Sequence, residues 1–137
     1  GTKMGKMQRS KGAAGEREAA AILHQQFQDI LPNRLHRNLD QTRDGGYDLK
    51  GLPFVALEVK RCETLALPKW WEQTLAQAKS VDAVPVLMYR QSRKPWFFVL
   101  PWGILAADMQ EADGYFLTNL EGFDTVYRRY LKRVGHL

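Results

Sequence analysis

The chain has 137 residues, of which 45% are hydrophobic and 26% charged; this composition indicates one folded domain and excludes long disorder and fibrous repeats. The single cysteine, Cys62, excludes an internal disulfide framework and a cysteine-cluster zinc site. The formal net charge of +5 is compatible with a polyanionic partner. Because no stretch approaches the roughly 20 apolar residues of a membrane span and the N-terminus lacks a signal-peptide core, we expect an intracellular protein without a membrane partner.

Basic side chains are concentrated at the two ends of the chain. Residues 1–12 carry basic residues without acids or periodicity, which predicts a flexible basic arm before a single domain at 13–137. Residues 128–133 are also basic and could complement the C-terminus of a helix. Residues 101–127 carry acids but no Lys or Arg. We expect this acidic segment to face away from a nucleic acid.

The first predicted element is a helix from Ala13 to Leu31, ended by the Pro-Asn pair that follows. Between residues 20 and 30, apolar side chains recur at helical spacing and form one stripe. One turn before Ala20, the stripe contains Glu16. We therefore expect this carboxylate to face inward.

Strands are predicted next, beginning with a short one near Leu35–Leu39. Tyr47–Lys50 and Phe54–Arg61 then form a hairpin around a Gly-Leu-Pro turn. Alternation along the second arm places Glu58 and Lys60 on the same face of the sheet.

The rest of the chain predicts a mixed α/β domain with helices packed on a central sheet. Its elements are a helix over 68–81, strands at Val84–Arg90 and Trp96–Leu100 joined by a basic turn, a short helix near Ile104–Met109, a strand at Tyr115–Leu117 and a helix from Leu120 to Val134.

The hairpin is expected to bring Asp48 close to Glu58 and Lys60, and Glu16 could join them. Neighbouring carboxylates repel, so a fold keeps them together mainly around a divalent cation, and oxygen ligands without Cys or His favour Mg²⁺ or Mn²⁺. A lysine on the same face can activate the attacking water or stabilise negative charge on a phosphate. The implied reaction is phosphodiester hydrolysis.

The spacing of an acid and a lysine is weak evidence by itself, since it occurs at both 48–50 and 58–60. The alternative is a hairpin with one solvated face and a surface ion pair between Glu58 and Lys60. Two observations favour a site: Glu58 and Lys60 lie in a β-branched apolar run, and Glu16 lies on an apolar stripe.

Three segments together resemble the PD-(D/E)XK nuclease superfamily, in particular the archaeal-type Holliday junction resolvases and their phage relatives. The segments are residues 10–18 (SKGAAGERE), 46–49 (GYDL) and 57–61 (LEVKR). The similarity runs from about Lys11 to Pro101, and it departs at Tyr47, where many members have Pro. It implies a restriction-endonuclease-like core of the order α-β-β-β-α-β.

The resemblance also implies roles for the site residues. Asp48 and Glu58 would bind the metal directly, together with the carbonyl of Val59. Lys60 would be the catalytic lysine, and Glu16 would support the metal cluster or a second ion.

Gln73 resembles a glutamine that some members of the family place beside the active site. The implied activity is a Mg²⁺-dependent DNA endonuclease, with Mn²⁺ as a substitute, that resolves four-way junctions by paired nicks. The resemblance further implies a homodimer acting on branched DNA without a small-molecule cofactor.

Several basic residues are candidates for contacts to DNA phosphates, although a solvated charged surface explains any single one equally well. They are Lys3, Lys6, Arg9, Lys11, Arg37, Arg43 and Arg61. No base-reading motif is present, so recognition should depend on DNA shape and charge. Two other functions remain open: a restriction-type or repair nuclease acting on linear or flapped DNA, and a non-catalytic DNA-binding module.

Overall fold

The computed structural model describes residues 2–31, 35–37 and 49–137, with side chains described from residue 12 onwards except at 36 and 37. Its elements are α1 (Thr2–Phe27), β1 (His36–Arg37), β2 (Leu49–Lys50), β3 (Val55–Cys62), α2 (Leu67–Ser80), β4 (Val84–Gln91), β5 (Phe97–Pro101), two short 3₁₀ helices (Trp102–Ile104 and Ala107–Met109), β6 (Tyr115–Thr118) and α3 (Leu120–Arg133). This order confirms the predicted α/β fold and its α-β-β-β-α-β core.

The strands of the described residues form a six-stranded sheet in the order β1-β2-β3-β4-β5-β6. β3 and β4 are parallel over their whole length, and the other neighbouring strands are antiparallel. Parallel neighbours require a crossover connection, which α2 supplies. The carboxyl ends of β3 and β4 therefore lie at the same edge of the sheet.

Helices cover both faces of the sheet, because alternate residues of the central strands point to opposite layers. On one face, α1 and α3 pack on the larger core cluster, which includes Leu23, Phe27, Val55, Leu57, Val59, Val86, Met88, Phe98, Leu100, Phe123, Tyr127 and Leu131. On the other face, α2 packs through Trp71 on a smaller cluster with Leu87, Tyr89 and Val99.

Aromatic rings hold α3 against the sheet. The Phe123 ring stacks on Phe98, with ring centroids 4.5 Å apart, and on Tyr127 at 5.3 Å. The Tyr127 hydroxyl donates a hydrogen bond of 2.7 Å to the carbonyl of Pro53. Burial raises the pKa of Tyr127, so this hydroxyl keeps its proton and remains a donor. The turn that precedes β3 is thereby fixed to α3.

Arg128 connects α3 to the end of α1. Its guanidinium donates to Asp29 at 2.7 Å and to Asp124 at 3.0 Å. The hydrogen bond from Arg128 holds the pKa of Asp29 below its usual value. The pair therefore stabilises the fold above the usual pKa of an aspartate, and this stabilisation is lost as the pH falls through the lowered value. Arg133 donates to the carbonyl of Gly103 at 3.1 Å, so these two C-terminal arginines serve packing.

The bounds of α1 differ from the prediction at both ends. The helix begins at Thr2 rather than near Ala13, so the segment predicted as a flexible arm is helical from Thr2 onwards. The prediction depended on apolar periodicity, which is missing there, although the Lys, Met, Gln and Arg residues of this segment have favourable helix propensity. The helix ends at Phe27 rather than Leu31, and a turn follows in which the carbonyl of Phe27 accepts from the amides of Ile30 and Leu31. The division into an arm and one domain stays a prediction.

Among the described residues, no helix is both long enough and apolar enough to cross a membrane.

Replacing Phe123 by alanine should lower the free energy of unfolding by about 3–5 kcal/mol, because this buried ring contacts both the sheet and α1. Phe54→Ala makes the same chemical change at a ring that is 49% exposed, and it should cost much less. Urea unfolding of the two variants measures the difference. Equal losses would contradict this description of the core.

Candidate active site

Glu58 lies in the middle of β3 and is only 5% exposed. Among the residues with described side chains, it is the one buried carboxylate. Removing a carboxylate from water costs several kcal/mol unless cations or hydrogen bonds compensate. Burying the Glu58 carboxylate therefore lowers the stability of the fold relative to an apolar residue at the same position. Such a cost is typical of a group that is kept for function.

Lys60 lies two residues further along β3 and is half-buried. In the parallel register, Glu58 lies beside Leu87 and Lys60 beside Tyr89. Leu87 and Tyr89 both belong to the smaller cluster under α2. Glu58 and Lys60 thus share the α2 face of the sheet, as predicted.

The predicted hairpin before this strand is confirmed, since Leu49 of β2 pairs with Leu57 of β3 in antiparallel register. Asp48 and Arg43 lie outside the described residues, and the side chain of Arg37 is not described. Within the described ranges, no three His, Cys, Asp or Glu side chains form a group that could hold a metal ion. Val59, whose carbonyl is a predicted ligand, is buried in β3.

Glu16 lies beside the buried stripe of α1 rather than on it. The fully buried stripe runs through Gly15, Ala19, Leu23 and Phe27. Leu23 and Phe27 belong to the predicted stripe, whereas Ala20 is only half-buried. A Cβ atom at Gly15 would lie 3.3 Å from the Cβ of Arg61, which shows how closely α1 approaches β3. Small residues permit this approach, and they do not appear in a pattern of large apolar side chains. Glu16 is half-buried and makes an interaction within the fold.

Glu18 is the residue of this region that sequence reasoning missed. Its carboxylate accepts hydrogen bonds from the Arg90 guanidinium and, at 3.0 Å, from the indole N–H of Trp96. Its other oxygen lies 3.7 Å from a guanidinium nitrogen of Arg61. Glu18 therefore fastens α1 to β3, to β4 and to the residue before β5. The only available signal was its position next to Ala19 on the small-residue stripe.

Arg61 was predicted to contact DNA. The structure places its guanidinium at Glu18, with the side chain 28% exposed. The side chains of Lys3, Lys6, Arg9 and Lys11 are not described, so their predicted contacts stay predictions.

The two glutamines of α2 differ in exposure. Gln73, which carried the prediction, is exposed, whereas Gln77 is half-buried. The Oε1 atom of Gln77 is buried and has no hydrogen-bond donor within the part of the chain that the structure describes. α2 therefore turns Gln77, rather than Gln73, towards the protein. A role for Gln73 in catalysis stays a prediction.

Glu18→Ala should lower the free energy of unfolding by about 1–3 kcal/mol, because it leaves the Trp96 N–H and the Arg90 guanidinium without their acceptor. Glu72→Ala removes the same group from an exposed position of α2 and should have little effect. Thermal or urea unfolding measures both variants. An unchanged stability of Glu18→Ala would contradict the anchoring of α1.

A solved structure of the Holliday junction resolvase Hjc from Archaeoglobus fulgidus resembles this chain with a TM-score of 0.46 and 19% sequence identity, and the match covers 93% of this chain and 98% of that one. No curated protein matches the chain. Residues 7–131 match the family model described as "Phage putative PDDEXK endonuclease". Because this match includes nearly all of the sequence, the chain belongs to the phage PDDEXK endonuclease family of nucleases.

Proposed function

We propose that this nuclease is a Mg²⁺-dependent DNA endonuclease that resolves four-way (Holliday) junctions by paired nicks, with Mn²⁺ as a substitute. The observation that carries the proposal is the buried carboxylate of Glu58 on the same face as Lys60, within a family of endonucleases. The similarity of three sequence segments to junction resolvases supports the choice of substrate.

In this proposal, the metal is held by oxygen atoms. Glu58 offers a carboxylate and Val59 a main-chain carbonyl, which are hard ligands suited to Mg²⁺. Asp48 directly precedes Leu49, and Leu49 pairs with Leu57, which directly precedes Glu58. This connectivity supports Asp48 as the second carboxylate. When bound, the ion would polarise the phosphate and lower the pKa of a bound water.

Lys60 and Glu16 have separate proposed roles. The Lys60 ammonium orients the attacking water or stabilises charge on the phosphate. The sequence resemblance supports a role for Glu16 at the metal cluster, although α1 packs on the sheet face opposite Glu58. A homodimer would place two such sites on opposed strands of one junction.

A synthetic four-way junction, incubated with the protein and Mg²⁺, tests the substrate. The proposal predicts paired nicks in the junction and weak cutting of linear duplex of the same sequence. Equal cutting of both DNAs would exclude a resolvase and favour a restriction or repair nuclease. Binding without cutting of any DNA would favour a non-catalytic module.

Glu58→Gln and Asp48→Asn should each reduce junction cleavage by more than about 100-fold while leaving junction affinity largely intact, because metal ligands serve the reaction and basic residues serve affinity. Glu72→Gln is the matched control and should cut like the wild type. Cleavage gels and fluorescence anisotropy measure the two properties. Undiminished cutting by Glu58→Gln would refute the proposed site.

Chelation by EDTA should abolish cleavage, and excess Mg²⁺ or Mn²⁺ should restore it, because the proposed hydrolysis needs a cation on the Glu58 side of the sheet. Ca²⁺ serves as a control for nonspecific effects of divalent ions. Cutting that persists in EDTA would contradict metal dependence.

A further inference from the structure

The turn between β4 and β5, formed by residues 92–95 (SRKP), presents two basic side chains. We call it the basic turn. Arg93 and Lys94 are both exposed, and within the described part of the chain neither forms an ion pair. Arg61 and Arg90, the nearby arginines of β3 and β4, instead face Glu18. At this edge of the sheet, the turn therefore carries two positively charged side chains that are not paired with Glu18.

The basic turn is fixed to the end of β3. The amide of Ser92 donates to the carbonyl of Cys62 at 3.3 Å, and the Ser92 hydroxyl bonds to the Glu63 carboxylate. The Gln91 side chain donates to the Glu63 carbonyl at 3.1 Å. These bonds hold the turn in one place relative to the strand that carries Glu58.

A further bond closes the turn internally. The Nε of Arg90 donates to the carbonyl of Lys94 at 2.8 Å, while another nitrogen of the same guanidinium contacts Glu18. The position of the turn is thus coupled to α1. Basic side chains on a fixed turn lose less conformational freedom on binding than those on a mobile loop.

The backbone of Arg93 lies in the left-handed region, with φ of 65°. Glycine or asparagine adopts this conformation readily, and most other side chains are strained in it. A turn that served only to join two strands would be more stable with glycine at this position. An arginine held there against this preference points to a use for its side chain.

The distance along β3 connects the turn to the proposed reaction. Lys60 lies two residues before Cys62, which corresponds to about 7 Å along a strand. A DNA strand presents one phosphate for about every 3.4 Å of helix axis. A backbone whose scissile phosphate lies at Lys60 can therefore place neighbouring phosphates at the basic turn.

We propose that the basic turn is a binding surface for the DNA backbone beside the cut site, with Arg93 and Lys94 contacting phosphates that flank the scissile one. This inference rests on the proposed action of the protein on DNA and adds a contact surface to it. Because phosphate contacts carry no sequence information, the turn would contribute affinity for branched and linear DNA alike.

The test compares two double variants in a Glu58→Gln background, which keeps the DNA uncut. Arg93→Gly/Lys94→Gln removes both charges of the turn and relieves the strained backbone. Arg129→Gln/Lys132→Gln removes two charges from exposed positions of α3 that have no ion pair within the described residues. The two variants have the same net charge, so a difference between their DNA affinities depends on where the charges were removed.

Fluorescence anisotropy with a labelled four-way junction, repeated over a series of salt concentrations, measures affinity. The slope of log affinity against log salt is negative, and each lost phosphate contact reduces its magnitude by about 0.9, so the slope of the turn variant should be smaller in magnitude by about 1.8. The α3 control should keep the slope of its parent. The melting temperature of the turn variant should equal or exceed that of its parent, because glycine suits φ of 65°.

The outcomes separate this inference from the proposed function. Junction cleavage by the wild type, combined with equal slopes for both double variants, would overturn the role of the turn and leave the nuclease proposal standing. Absence of DNA binding by the wild type would overturn both. A reduced slope for the turn variant alone would support the inference.

Discussion

A carboxylate buried in a central strand is the constraint on which this structure depends. Glu58 is 5% exposed in β3, where its neighbours Leu57 and Val59 fill the core. An uncompensated buried charge destabilises a protein strongly, so an acid at this position requires a compensating partner. The surroundings of Glu58 are fixed from both faces, by α1 and α3 on one side and by α2 on the other. Within the sheet, the parallel pairing of β3 with β4 fixes the position of β3.

Basic residues divide into two groups around this strand. Arg61 and Arg90 face Glu18, and Arg128 is paired with Asp29 and Asp124. These arginines join helices to one another or to the sheet, so part of the positive charge of this protein takes part in internal ion pairs. The exposed cations of the basic turn lie next to the end of β3 and form the second group. Net charge alone did not separate the two groups, whereas the contacts of each guanidinium do.

The sequence predicted those parts of the fold that depend on local periodicity. The hairpin before Glu58 and the shared face of Glu58 and Lys60 follow from strand alternation, and the structure shows both. The start of α1 was missed because helix formation over 2–12 does not need an apolar stripe. The stripe was correct at Leu23 and Phe27 but missed Gly15 and Ala19, which pack through their small size, a property that hydrophobicity does not reveal.

Long-range polar contacts escaped prediction for a different reason. Glu18 meets Arg90 and Trp96 across more than seventy residues of chain, and no local pattern encodes such a pairing. The two glutamines of α2 differ in burial, since Gln77 is half-buried and Gln73 is exposed; a role for Gln73 in catalysis stays a prediction. Asp48 lies outside the described residues, so its convergence with Glu58 rests on chain connectivity and on the sequence resemblance.

The central claim is that Glu58 is retained to hold a metal ion. The melting temperature of the wild type and of Glu58→Gln, each measured with and without Mg²⁺, tests it most directly, because an ion that binds only the folded state raises its stability. The account predicts that Mg²⁺ raises the melting temperature of the wild type and leaves that of Glu58→Gln nearly unchanged. An equal rise in both proteins, or no rise in the wild type at saturating Mg²⁺, would contradict it.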